Sequence, residues 1–224
     1  MTPYDFSTQK ELFNISCQIL DDYQIKEWSL GGGTALSVLY YQHRMSYDID
    51  IFLEDFSAIQ ILIDNKKEIA DNLNIPLIQV ESSNTGITFI LDTEENGLKL
   101  DFVYSPVLSS KPYVVKDVFG YTDVKVQTPL EIIAKKLKHR EKATIRDFVD
   151  YAIVEDNAQL LTKLKSEGIV DSVVFNLALQ DLMPSQTVTK DNFNNTINNL
   201  MKPKELIRVA LDNTSEVVAF DEFI

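Results

Sequence analysis

The 224-residue chain reads as an α+β protein, a mixed sheet with flanking helices over residues 1–125 followed by a helical lobe over residues 126–224. Three observations predict this. First, Gly31-Gly32-Gly33-Thr34 stands between a short apolar segment and a helical one, and Asp48-Ile49-Asp50-Ile51-Phe52 follows fourteen positions after Thr34. Second, the stretch from Leu98 to Phe102 alternates apolar and polar residues, the period of a half-buried strand. Third, the period changes from Thr128 onward to the three-and-four spacing of helices.

Taken in order, Leu12, Ile15, Ile19, Leu20 and Tyr23 lie at helical spacing and predict an amphipathic helix over residues 8–23. Trp28 to Leu30 reads as a strand running into the glycines. Thr34 is a plausible cap for a helix reaching Gln42, and Tyr47 to Leu53 is the strand that carries the paired aspartates. Ser57 is a candidate cap for a helix ending near Leu73, with Ile59, Leu62, Ile63 and Ile69 inward. Three strands are expected next, at 77–81, 87–92 and 98–104. The last two are joined by Thr93-Glu94-Glu95-Asn96-Gly97, whose Asn-Gly pair supplies the positive φ of a hairpin turn. Residues 121–128 are the expected boundary. Thr128-Pro129-Leu130-Glu131 has the form of a capping box opening a helix to about Glu141. In it Ile132, Ile133 and Leu137 face the core, while Lys136 and Arg140 share a neighbouring stripe. A second helix starts at Thr144, with Phe148, Val149, Ala152 and Ile153 on its apolar side. Further helices are expected at 157–167, 169–182, 190–201 and 203–213, separated by Gly168, Pro184 and Pro203.

Composition narrows the function. No apolar run approaches the eighteen or so residues of a membrane span, and Met1-Thr2-Pro3-Tyr4-Asp5 lacks a basic-then-apolar signal, so a soluble cytoplasmic chain is expected. The single cysteine, Cys17, excludes an internal disulfide and a Cys-based zinc site, and reads as a small buried residue. His43 and His139 are too few for a His-based zinc site and are read as polar surface or capping residues. The net charge of −13 argues against a broad nucleic-acid surface, since polyanion affinity comes largely from neutralised phosphates. The sign is uneven, however: residues 125–146 hold seven Lys/Arg against two Glu.

The glycines and acids together are the parts of a phosphate-and-metal site. Glycines allow close backbone approach and positive φ, and the amides that open the following helix are suited to phosphate. Positions i and i+2 of a strand share a face, so Asp48 and Asp50 look the same way. Like charges held together favour a hard divalent cation between them, and Mg²⁺ or Mn²⁺ takes carboxylate oxygens. Two-metal phosphoryl transfer uses a further carboxylate, and Asp101, the one carboxylate on its strand face, is the candidate. The alternative is a glycine turn beside merely solvated aspartates.

The run Gly31-Gly32-Gly33-Thr34-Ala35-Leu36 with His43-Arg44-Met45-Ser46-Tyr47-Asp48-Ile49-Asp50-Ile51-Phe52 resembles the first motif of the AbiEii/AbiGii-type nucleotidyltransferase toxins, a branch of the polymerase-β-like superfamily. Glu131 to Leu137 and Arg146-Asp147-Phe148-Val149-Asp150 are similar to that family's later motifs, a helical lysine and an R-D-x-x-D segment. The resemblance implies a polymerase-β-like core followed by a helical C-terminal lobe. It implies Asp48, Asp50 and Asp101 as metal and catalytic acids, and Gly32, Gly33 and Thr34 as holders of the β- and γ-phosphates. Lys136 would reach the triphosphate, with Asp147 or Asp150 orienting a base, a lysine or the nucleotide, and Arg146 would join Lys136 in binding the nucleotide. Arg44 or Ser46 would contact a phosphate or brace the loop. The bland reading of the later motif is an Arg146–Asp150 surface pair and a solvated lysine face.

The implied reaction is transfer of NMP from an NTP to an acceptor hydroxyl with Mg²⁺ or Mn²⁺, by the toxin of a toxin–antitoxin or phage-defence pair. An antitoxin partner follows from the resemblance, and tRNA is one acceptor that it offers. Two alternatives stay open: a nucleotide-binding regulator without turnover, and a transferase that modifies a small molecule or a protein.

Overall fold

The computed structural model describes residues 4–93, 97–139, 144–158 and positions 163, 164, 166 and 168. The chain starts with α1 (Ser7–Asp22), whose Leu12, Phe13 and Leu20 are buried. β1 (Trp28–Gly31) leads directly into α2 (Gly32–Leu36), which continues as one π turn, Ser37–Tyr41. β2 (Ile49–Leu53) is followed by α3 (Phe56–Asp64) and α4 (Lys66–Asn72), then by a 3₁₀ turn, Leu77–Gln79. The remaining strands are β3 (Val80–Ser82), β4 (Gly86–Ile90), β5 (Lys99–Tyr104), β6 (Tyr113–Val118) and β7 (Tyr121–Gln127). Helices α5 (Pro129–His139) and α6 (Ile145–Ala158) complete the described elements.

All seven strands form one mixed sheet in the order β3-β4-β5-β2-β1-β7-β6. The β2–β5 and β1–β7 pairs are parallel and the rest antiparallel. The expected fold class is what forms: β2, β4 and β5 alternate buried with part-exposed residues, and Ile49, Ile51, Leu53, Leu100 and Phe102 are all fully buried on one face. Helices α1 and α3 bury their apolar stripes, Leu12, Phe13 and Leu20 from one and Ile59 and Leu62 from the other.

The chain divides into two compact units. One contains residues 1–39, 46–107 and 113–128 and holds the whole sheet. The other contains residues 40–45, 108–112 and the chain from 129, with α5 and α6. The expected boundary at 125/126 falls inside β7.

Several local expectations are corrected. Thr34 is the third residue of α2, not its cap; the cap position belongs to Gly31, and positive φ at Gly32 turns the chain straight into the helix. Ser57 is not the next cap either, because the Asp55 carboxylate accepts from Ser57 N at 2.8 Å and Ser57 Oγ at 2.7 Å. The single helix expected to Leu73 is two. Asn65 Nδ2 donates to the Ile61 carbonyl at 2.8 Å, and this side-chain bond to the last turn accompanies the break. The strand expected at 77–81 shrinks to Val80–Ser82, since Pro76 lacks a donor and its carbonyl accepts from Gln79 N to close a turn.

The hairpin β6–β7 was not expected at all. Of residues 121–128, read as a boundary, all but Thr128 form a strand of the sheet. Its reversal is Phe119-Gly120, both at positive φ (54° and 101°), a pair in which phenylalanine masks the turn signal. Cys17 is buried as expected, and burial followed by the charge of Asp21 pushes its thiol up to about 12. The Asn96 turn position, Arg140 and the helices expected at 169–182, 190–201 and 203–213 lie outside the described residues, as does most of 157–167. Among the described residues no helix is long and apolar enough to cross a membrane.

Candidate active site

In the sheet unit, Ile49, Ile51 and Leu53 point into the core, so Asp50 and, just before the strand, Asp48 take the opposite, partly open face. Register does the rest. Asp50 is paired with Gly31 of β1 on one side and with Asp101 of β5 on the other, and Asp101 is paired with Thr88 of β4. A single row across four strands therefore reads Gly31, Asp50, Asp101, Thr88, with neighbouring strands about 4.8 Å apart.

Thr88 Oγ1 donates to Asp101 Oδ1, which fixes the orientation of that carboxyl. Burial pushes the Asp101 carboxyl above the ordinary carboxylate range. The Thr88 hydrogen bond opposes this and the nearby charge of Asp48 adds to it. That Asp48 is felt at Asp101 links the third acid electrostatically to the row.

The glycine turn is shaped by the same carboxylate. Gly32 has φ +69°, and a Cβ there would stand 1.8 Å from Asp50 Oδ2. A Cβ at Gly31 would stand 2.5 Å from both Gln127 Oε1 and the Phe52 ring. The Thr34 hydroxyl donates to the Asp48 carbonyl oxygen, tying the helix to the residue that opens the acid strand. Gly32→Ala is therefore expected to fail twice. Left-handed backbone costs a non-glycine residue about 1–2 kcal/mol, and the new methyl must displace the Asp50 carboxylate. Thermal unfolding should show a loss of about 2–4 °C for each kcal/mol, alongside loss of any activity that needs Asp50.

The donor set suits a hard divalent cation: three carboxylates, two of them direct register partners and the third coupled by charge. Among the described residues no three His, Cys, Asp or Glu side chains are already drawn together as a ligand cluster. What fits the cation is the shared face and register.

In the other unit, Asp150 is fully buried and is the hub of a charge cluster. Arg44 Nε and Nη2 donate to its two oxygens at 2.6 and 2.8 Å, a two-pronged pair. His43 Nε2 lies 2.7 Å from Oδ1, and Lys136 Nζ lies 3.0 Å from Oδ2 and 2.6 Å from Asp147 Oδ1. Burial alone would push the Asp150 carboxyl up, but Arg44, Lys136 and the hydrogen bonds from His43 and Arg44 outweigh it and hold it well below the usual range. His43 is held below its ordinary value by burial, which exceeds the opposing pull of Asp150. Asp147 Oδ2 accepts from Thr144 N at 2.9 Å while Asp147 N donates to Thr144 Oγ1, a reciprocal cap that starts α6.

These contacts overturn two readings. His43 is not a surface residue; it has no exposed area. Nor is Asp150 half of a surface pair with Arg146. Asp147 contacts Lys136, one of the roles open to it. The two adjacent lysines are also separated: Lys135 Nζ lies 3.5 Å from Glu131 Oε1, whereas Lys136 faces the aspartates. Glu131 is buried and accepts from Leu108 N, Ser109 N and Ser109 Oγ, bracing the 108–109 loop. Sequence reasoning missed that role, having read Glu131 only as a capping partner. It also missed Gln9, a fully buried glutamine whose Nε2 donates to the Ser46 carbonyl at 2.6 Å. Neither carries a local signal, because each partner is distant in sequence.

A glycine turn wrapped around one acid of a carboxylate row on a mixed sheet is an arrangement suited to phosphoryl or nucleotidyl transfer. The family model described as nucleotidyl transferase AbiEii toxin, type IV toxin–antitoxin system, matches residues 18–193. The chain belongs to that family and is a nucleotidyltransferase of the toxin type, which implies an NTP substrate and an antitoxin partner.

No curated protein sequence matches the chain. Among solved structures it is similar to MenT4, a nucleotidyltransferase toxin of Mycobacterium tuberculosis, at 15% identity over 95% of this chain and 80% of that one, with a TM-score of 0.49. It is similar to JHP933 of Helicobacter pylori at 17% identity over 95% of each chain, with a TM-score of 0.45. It is also similar to the antibiotic-resistance factor ANT(2'')-Ia at 13% identity over 73% of this chain and 90% of that one, with a TM-score of 0.43. The assignment rests on the family match.

Proposed function

We propose that the chain moves NMP from an NTP to an acceptor hydroxyl, with Mg²⁺ or Mn²⁺ held by Asp48, Asp50 and Asp101. The observation that carries this reading is the row Gly31, Asp50, Asp101, Thr88 with Gly32 folded against Asp50. When bound, the cation polarises phosphoryl oxygens and offsets the charge that builds around the α-phosphorus.

The residues divide the remaining work. Backbone amides at Gly32, Gly33 and Thr34 take the β- and γ-phosphates, because the first amides of a helix have no partner within it. The acceptor oxygen forms its bond to the α-phosphorus as the bond to the β-phosphate oxygen breaks, and pyrophosphate leaves with that electron pair. The hydroxyl proton passes to Asp101, whose raised affinity for protons suits a base. In the second unit Lys136 and Arg146 are the proposed phosphate-binding cations, with Lys136 aimed by Asp147. Arg44, committed to Asp150, braces rather than binds, and Ser46 contributes its carbonyl to the loop.

Asp101→Asn keeps an acceptor for Thr88 but abolishes the base. Transfer is expected to fall by about 10²–10⁴-fold. Because the carboxyl's folded affinity for protons is raised, ionising it costs stability above its unfolded pKa. Asp101→Asn should therefore unfold at a higher temperature than wild type at pH 7, an advantage that fades as the pH falls and the wild-type carboxyl protonates. Calorimetry at pH 4 and 7 checks the sign.

The acceptor is proposed to be tRNA or another RNA, with the basic stretch at residues 125–146 as the locally favourable part of an acidic chain. The test incubates each α-³²P-labelled NTP with the protein, Mg²⁺ and total RNA, with parallel reactions containing cell protein or an aminoglycoside. Label in RNA supports the reading. Label in protein or drug keeps the transferase but replaces the acceptor, and nucleotide binding without any product leaves only a regulator.

A further inference from the structure

We infer that Gln9 is a positioning residue for the Asp48 carboxylate, acting through the backbone of residues 46–48; the inference rests on the metal-binding reading above. Gln9 lies outside the residues that the family model matches, in the first turn of α1, and its side chain has no exposed area. Its amide is placed at a cost, because Oε1 is buried and meets no hydrogen-bond partner among the described residues. An apolar side chain of similar length would fill the space without that penalty. The neighbour 2.6 Å from the amide is the Ser46 carbonyl, an acceptor, so the nitrogen must be the atom that faces it.

What this bond holds is the approach to Asp48. The β2 ladder begins only at Ile49, so residues 46–48 lie outside it. Two side-chain donors stand in for ladder bonds. Gln9 Nε2 from α1 takes the carbonyl of Ser46, and Thr34 Oγ1 from α2 takes the carbonyl of Asp48, two residues on. Fixing alternate carbonyls from two helices leaves the intervening backbone little freedom to rotate. The direction of the Asp48 carboxylate is set by that backbone. Partners one shell outside a metal ligand commonly change metal affinity by about 10–100-fold when removed.

The test measures binding of Mn²⁺ alone, by loss of the free Mn²⁺ electron paramagnetic resonance signal, to the full chain and its variants. Gln9→Met removes the donor at nearly constant volume and is expected to weaken Mn²⁺ binding about tenfold. Thr34→Val should shift it in the same direction. Leu12→Val, a packing change on the same helix that leaves the Gln9 amide in place, should lower Tm but leave Mn²⁺ affinity within about twofold. If Gln9→Met does not fold, Gln9→Asn, which retracts the amide by one methylene, should show the same weakening. If wild type binds Mn²⁺ and Asp48→Asn abolishes it, but the Gln9 variants bind like wild type or Leu12→Val weakens binding equally, the positioning role is wrong and the metal site stands. If wild type fails to bind Mn²⁺, or Asp48→Asn binds as tightly, the metal-site reading falls and this inference with it.

Discussion

Asp50→Asn is expected to lower metal-dependent NMP transfer by about 10²–10³-fold while leaving a folded protein at least as stable as wild type. Asp50 sits at the centre of the row, flanked by Gly31 and Asp101 and pressed against Gly32, so it touches both proposed parts of the site. Asparagine has the same shape and keeps one acceptor oxygen, so the Gly32 turn survives. What disappears is one negative charge facing the α-phosphorus region, and losses of 10²–10³ are usual when a single electrostatic contact to a transition state is removed. Stability should move the other way, because neutralising one of several like charges on a shared face relieves repulsion. A paired measurement of turnover and Tm decides it: loss of both together would point to a folding residue instead.

The second large effect is on stability. Asp150→Ala removes the acid that Arg44 meets with two prongs and that Lys136 also contacts, while the Lys136–Asp147 pair stays. Breaking a buried ion pair from one side costs about 3–5 kcal/mol. Unfolding in urea should show that loss, and Asp150→Asn should recover part of it by keeping the hydrogen-bond geometry.

The same cluster gives wild type a signed pH dependence. His43 binds its proton less readily when folded, so below about pH 6.5 the unfolded chain takes up a proton that the folded one does not, and stability falls with pH from there. Asp150, held low in the fold, contributes stability above about pH 4 that is lost on further acidification through its folded pKa. His43→Gln should flatten the first part of that decline and leave the second.

How much of this was legible depended on whether the determining contact was local. Asp48 and Asp50 could be read from strand parity, and Gly32 from the need for positive φ. Asp101 followed from alternation in its own strand, yet its place beside Asp50 is a matter of parallel register between strands about fifty residues apart, which parity alone does not fix. The hairpin at Phe119-Gly120 stayed hidden because a phenylalanine occupies a position that asparagine or aspartate usually marks. Asp150 lies more than a hundred positions from His43 and Arg44, so the burial of a histidine in an ion cluster leaves no trace in its neighbours. The helix caps went astray for a simpler reason: Asp55, Ser57 and Thr34 are all competent caps, and only the path of the chain decides which one serves.

The central claim is that Asp48, Asp50 and Asp101 share a divalent cation on the face beside Gly32. Anomalous diffraction from crystals of the full chain grown with Mn²⁺ tests it directly. The account predicts a manganese peak bonded to carboxylate oxygens of Asp50 and at least one of Asp48 and Asp101, absent from Asp50→Asn crystals. A peak elsewhere, or one that persists unchanged in Asp50→Asn, would contradict it.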